Sequence, residues 1–131
     1  MDDQERHAKG LEVRRAVLGE EYVNRALAKK DAFTSEFQDL ITRYAWGEIW
    51  TRPGLPRHTR SLLTIAMTVA LNREAEFRLH VRAAASNGVT PEEIKEVLLQ
   101  SAIYCGVPAA LSAFRAAEQV LAEQKSESSK S

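Results

Sequence analysis

The chain has 131 residues, enough for one domain with one core, and its 44% hydrophobic and 27% charged content is ordinary for a soluble globular protein. Eighteen Lys and Arg balance eighteen Asp and Glu, so the clustered basic excess that a nucleic-acid partner requires is missing. One cysteine, Cys105, excludes an internal disulfide and any paired-thiol motif, residues 1–10 are too polar for a signal segment, and the apolar stretch 61–71 is too short to span a bilayer; a cytoplasmic protein without a membrane partner is expected.

Apolar and polar residues nowhere alternate for long, and β-branched residues are sparse, so the chain reads as all-α with six to seven helices. The first helix runs to about Leu18 and stops at Gly19; a short one follows over 20–29. The next starts after Phe33 with Thr34 or Ser35 as N-cap. Phe37, Leu40, Ile41, Tyr44 and Ala45 form one helical face, which continues onto Glu48. This helix ends near Trp50, before Pro53 and Pro56. A third long helix starts near Pro56 or Arg57. Its stretch 61–71 is apolar almost all round, which predicts burial on nearly every side and points to a subunit interface. A fourth runs from about Arg73 to Asn87 and is closed by Gly88. Thr90-Pro91-Glu92-Glu93 reads as a capping box with Pro at the first helical position. Ile94, Val97, Leu98, Ala102 and Cys105 are the buried stripe of the helix that follows. After Gly106-Val107-Pro108 a last helix carries Ala110, Ala113, Phe114, Ala117, Val120 and Leu121 inward. The polar, low-complexity tail 125–131 is expected to be disordered, leaving a single domain over 1–124.

The fourth helix places Arg73, Glu76, Phe77, His80, Val81 and Ala84 on one side. His80 thus stands where a core residue is expected. Either it is a buried histidine satisfied by a backbone carbonyl or by Glu76, or it is a proton donor or acceptor. Glu48 presents the same choice, between pairing with an arginine for structure and chemistry. Trp46 and Trp50, one turn apart, suit a core, an interface or a substrate wall. Arg43, Arg60 and Arg73 supply guanidinium forks suited to carboxylates, although most arginines in such a sequence are surface residues. His7, His58 and His80 are far apart in sequence, and no metal site, Gly-rich phosphate loop or serine nucleophile motif is present.

Residues 37–55, from Phe37-Gln38-Asp39-Leu40 to Arg52-Pro53-Gly54-Leu55, resemble the carboxymuconolactone decarboxylase family. So do Phe77-Arg78-Leu79-His80-Val81-Arg82-Ala83-Ala84, Asn87-Gly88-Val89-Thr90, Glu96-Val97-Leu98-Leu99-Gln100 and 102–110. The resemblance covers nearly everything except the tail. It implies the oligomeric, all-helical fold of the alkylhydroperoxidase D-like superfamily, as a trimer or hexamer. Redox members of that superfamily carry Cys-x-x-Cys-x-x-x-His and an upstream glutamate. Aligned on His80, the cysteine positions hold Arg73 and Glu76 and the glutamate position falls near Ser61, so dithiol peroxidase chemistry is excluded.

The resemblance further implies a carboxy-lyase of aromatic catabolism: cofactor-free decarboxylation of 4-carboxymuconolactone to 3-oxoadipate enol-lactone and CO2, in the protocatechuate branch of the β-ketoadipate pathway. The partner is then a small dicarboxylate lactone. His80 would donate the proton or a hydrogen bond to the dienolate. Glu48 and Glu76 would orient these groups or handle the proton themselves. Arg43, Arg60 and Arg73 would hold substrate carboxylates, with Trp46 and Trp50 as walls. Two alternatives are a same-fold enzyme acting on another small lactone or oxo acid, and a non-catalytic oligomeric binding protein. Leu111 stands where the family is expected to carry a polar residue such as Asn.

Overall fold

The computed structural model describes residues 1–129, with the side chain of Ser129 excepted. Seven α-helices account for most of them: α1 (Asp3–Leu18), α2 (Glu20–Ala28), α3 (Ser35–Ile41), α4 (Arg57–Ala70), α5 (Glu74–Ala83), α6 (Pro91–Tyr104) and α7 (Val107–Ser129). A π-helical segment, Thr42–Ile49, continues α3, a short 3-10 turn, Ala84–Asn87, continues α5, and no strand occurs among the described residues. The all-α expectation holds. Contacts divide the chain into two compact units, Met1–Arg57 and His58–Ser131, where length alone suggests one.

In the first unit α1 starts on the Asp2 side chain, which accepts from the Glu5 N–H at 2.8 Å, and stops at Gly19, whose φ of 96° suits glycine. The helix lies directly on the π-helical segment through two glycines. A Cβ at Gly10 would collide with the Thr42 carbonyl oxygen, and one at Gly47 with the Arg6 carbonyl oxygen. Beneath this contact, Arg14 is buried and donates from Nη1 to Gln38 Oε1 at 3.1 Å. Desolvation lowers the pKa of its guanidinium.

The second unit holds the larger apolar cluster. Ile65 and Val69 of α4, Phe77 and Val81 of α5, Leu98 of α6 and Val120 of α7 meet in it. The capping box forms as expected: Thr90 Oγ1 accepts from the Glu93 N–H at 3.2 Å, and Glu93 Oε1 accepts from the Thr90 N–H at 2.9 Å. Gly88, at φ 76°, closes the 3-10 turn.

Four expectations change. The helix predicted to run unbroken to Trp50 widens after Ile41 into i→i−5 pairing, closed by the Trp50 N–H on the Ala45 carbonyl. Its buried residues are Thr42, Trp46 and Gly47, while Phe37, Leu40 and Tyr44 are exposed: the close approach of α1 at Gly10 and Gly47 needs small groups. Helix α4 buries one face, Ser61, Ile65 and Val69, and leaves Leu63, Met67 and Leu71 exposed in the single chain. The start of α3 is capped by Asp31, whose carboxylate accepts from the Phe33 and Thr34 N–H groups; Thr34 itself makes no side-chain cap.

The fourth change concerns the tail. Residues 125–129 continue α7, whereas 130–131 lie outside the described residues. Extending a formed helix adds a hydrogen bond per residue without a new nucleus, and α7 is anchored close by. There Arg82 of α5 pairs with Glu123 at 2.8 Å and its carbonyl accepts from Gln124 Nε2 at 2.7 Å.

Candidate active site

The candidate residues fall in both units. Arg43, Trp46 and Glu48 lie on the π-helical segment and Trp50 directly after it; Arg60 is on α4, Arg73 precedes α5, and Glu76 and His80 are on α5.

The π-helical segment concentrates its four. Trp46 is buried, and its ring stacks on Trp50 with centroids 5.2 Å apart and planes 28° from parallel. Glu48 Oε2 lies 3.2 Å from Arg6 Nε, a partner on α1 that sequence spacing does not reveal. Arg6 in turn pairs with Asp3 at 2.8 Å and donates from Nη2 to the Met1 carbonyl at 3.0 Å. The Glu48 contact, more than any other, raises the Arg6 pKa. The Tyr44 hydroxyl donates to Asp3 at 3.1 Å, and the guanidiniums of Arg6 and Arg43 stand 5.3 Å and 5.6 Å from the Tyr44 ring centroid. Arg43 has no ion pair among the described residues, and its buried Nε has no hydrogen-bond partner. A guanidinium in that condition is available to a carboxylate.

On α5, His80 is 7% exposed. Burial lowers its pKa to about 4, against a smaller upward pull from the Glu76 carboxylate. The imidazole is therefore neutral at pH 7. Glu76 itself is exposed, so it acts on His80 through its charge and leaves the desolvation dominant. Of the shared helix side expected from spacing, Phe77, His80, Val81 and Ala84 are buried, but Arg73 is not a helical residue. It is the N-cap position of α5, is exposed, and lines a crevice of about 30 Å³. Arg60 is half-buried on the first turn of α4. On the same helix Ser61 is fully enclosed and its hydroxyl has no hydrogen-bond partner. Its sequence context, an apolar helix, gives no hint of this.

Cys105 is half-buried at the C-terminal end of α6, its N–H on the Ser101 carbonyl at 2.7 Å. Leu111 is exposed on α7. Among the described residues no group of three or more His, Cys, Asp or Glu is placed to hold a metal ion, and no helix is long and apolar enough to cross a membrane.

The chain is 54% identical over 120 residues, 92% of its length and 90% of the relative's, to a 4-carboxymuconolactone decarboxylase of Acinetobacter baylyi. A nitrosuccinic acid decarboxylase of Metarhizium robertsii is 48% identical over 104 residues, 79% of this chain and 73% of that one. A 4-carboxymuconolactone decarboxylase of Pseudomonas putida is 50% identical over 48 residues, 37% of this chain and 100% of that sequence. Residues 35–119 match the sequence profile of the Carboxymuconolactone decarboxylase family, and the chain belongs to that family, with its all-helical, alkylhydroperoxidase D-like fold.

Proposed function

We propose that the protein decarboxylates 4-carboxymuconolactone to 3-oxoadipate enol-lactone and CO2, a step of the protocatechuate branch of the β-ketoadipate pathway, in the cytoplasm. The observation that carries this reading is the 54% identity to the Acinetobacter baylyi relative over 92% of the chain.

The chemistry suits the residues. When the carboxylate leaves the ring carbon, the electron pair of the broken C–C bond moves through the ring double bond to the lactone carbonyl oxygen. The substrate is its own electron sink, so no cofactor is called for. The protein must hold two carboxylates, stabilise the dienolate oxygen and deliver one proton to the far carbon of the conjugated system. In this reading Arg43, Arg60 and Arg73 hold carboxylates and Trp46 and Trp50 wall the substrate. A neutral, buried His80 is suited to donating a hydrogen bond to the dienolate oxygen, because it offers an N–H without stabilising the departing carboxylate by charge. The substrate's negative charge would raise the His80 pKa towards neutrality, which also equips it to give up a proton. Glu48 and Glu76 orient these groups or handle the proton.

We further propose a homo-oligomer, trimer or hexamer, because Leu63, Met67 and Leu71 of α4 and Ile103, Tyr104 and Val107 at the α6–α7 turn are exposed in the single chain.

The Metarhizium relative supports a second reading, turnover of another acid. In nitrosuccinate the nitro group takes the electrons that the lactone carbonyl takes above, so one binding scheme for two carboxylates beside a substrate-borne sink serves both.

The test is to mix purified protein with each compound in chelator without added cofactor, beside His80→Ala. Turnover of the lactone that survives chelation and collapses in the variant supports the proposal. Turnover of nitrosuccinate alone moves the assignment to the second reading. An inert, folded oligomer indicates a binding protein.

A further inference from the structure

We infer that Arg6 is a positioning residue for Glu48, so that α1, outside the 35–119 family match, is part of the catalytic apparatus. The inference rests on the decarboxylase reading and on Glu48 acting in it.

Three observations carry it. First, the Arg6 guanidinium is fixed independently of Glu48: Asp3 takes Nη1 at 2.8 Å, the Met1 carbonyl takes Nη2 at 3.0 Å, and the Tyr44 ring lies 5.3 Å away. Nε donates to Glu48 at 3.2 Å. Second, that contact engages Oε2 alone; no hydrogen bond reaches Glu48 Oε1 among the described residues. The carboxylate is thus held at one oxygen and open at the other, as a group that orients a partner or moves a proton must be. Third, the backbone is built to bring these groups together. Gly47, the residue before Glu48, accepts the Arg6 backbone where any side chain would collide with it, and the π-helical turn presents both on the α1 side. Glu48 is 44% exposed at the side chain, which leaves its carboxylate within reach of a partner, whereas Arg6 is only 18% exposed.

The experiment is a double-mutant cycle on 4-carboxymuconolactone turnover with Arg6→Ala, Glu48→Gln and the double variant, plus Arg6→Lys, each checked by thermal unfolding. Loss of orientation predicts that Arg6→Ala lowers kcat about tenfold with KM changed less than about twofold. The same substitution costs nothing further in the Glu48→Gln background, because there is no carboxylate left to hold. Arg6→Lys recovers part of kcat. Equal losses in both backgrounds, or wild-type kcat in Arg6→Ala or Glu48→Gln, overturn the assignment. A wild-type chain inert towards the lactone overturns the decarboxylase reading instead, and leaves Arg6 nothing to position.

Discussion

The Arg6 carbonyl oxygen occupies the space that a side chain at Gly47 would need, and the Thr42 carbonyl oxygen does the same at Gly10. The two contacts run in opposite directions, one glycine on each helix, so α1 and the π-helical segment approach at backbone distance along their length. In an ordinary helix Gly→Ala gains about 1 kcal/mol from propensity. Here that gain is set against overpacking of about 1–3 kcal/mol or more, because the obstructing atoms are backbone. Gly10→Ala and Gly47→Ala are each expected to lower the urea unfolding midpoint. A rise in either would mean that the helices are not in contact at that residue.

Stability should depend on pH through His80. Its folded pKa of about 4 lies below the ordinary value of 6.5. Between these values the unfolded chain binds the proton and the folded chain does not, so stability rises with pH across the window and is lost as pH falls from about 6.5 to 4. The difference amounts to on the order of 3 kcal/mol across the window. Urea titrations at pH 4.5 and 7 on the wild type and His80→Asn check this. The wild type is expected to lose more on acidification than the variant, and parallel losses would show that His80 is not desolvated.

Much of this was legible in the sequence. The capping box at Thr90 and Glu93, the Gly19 and Gly88 stops and the inward stripe of α7 are local signals, written in adjacent residues, and all appear where expected. So did His80, because an ionisable residue on an apolar face is visible from spacing. The Arg6–Glu48 pair was not, since 42 positions separate the residues and nothing local links them. The π-helical segment escaped for a related reason: an assumed period of 3.6 cannot register a turn widened by contact with α1. The exposed face of α3 shows the limit of periodicity, which marks a surface to be covered and not what covers it.

Thr90 and Glu93 do more than start α6. Glu93 also lies 2.8 Å from His58 Nε2 on α4, so one carboxylate caps a helix and ties it to another. These hydrogen bonds, with the Thr90 N–H foremost, hold the Glu93 carboxyl below its ordinary pKa. With the folded pKa depressed, its contribution is present above the unfolded value and is lost as pH falls through the folded one. Thr90→Ala is expected to cost about 1 kcal/mol at pH 7. It should cost less at low pH, once the capping carboxylate is protonated. Equal costs at both pH values would detach the Thr90 cap from Glu93.

Ile103 and Tyr104 are more than 80% exposed at the end of α6, and Val107 is 68% exposed at the start of α7. Burying such a side chain is worth about 1.5–3 kcal/mol, so three together can hold subunits if they face the same neighbour. A charge placed among them loses that gain and must also be desolvated without a partner. Tyr104→Glu is therefore expected to shift the assembly to a smaller species, while Lys125→Glu, on exposed α7 surface, leaves it intact. Sedimentation equilibrium at several concentrations separates the outcomes. An unchanged mass in Tyr104→Glu would remove the α6–α7 turn from the subunit interface and leave the exposed α4 face, Leu63, Met67 and Leu71, as the surface to test.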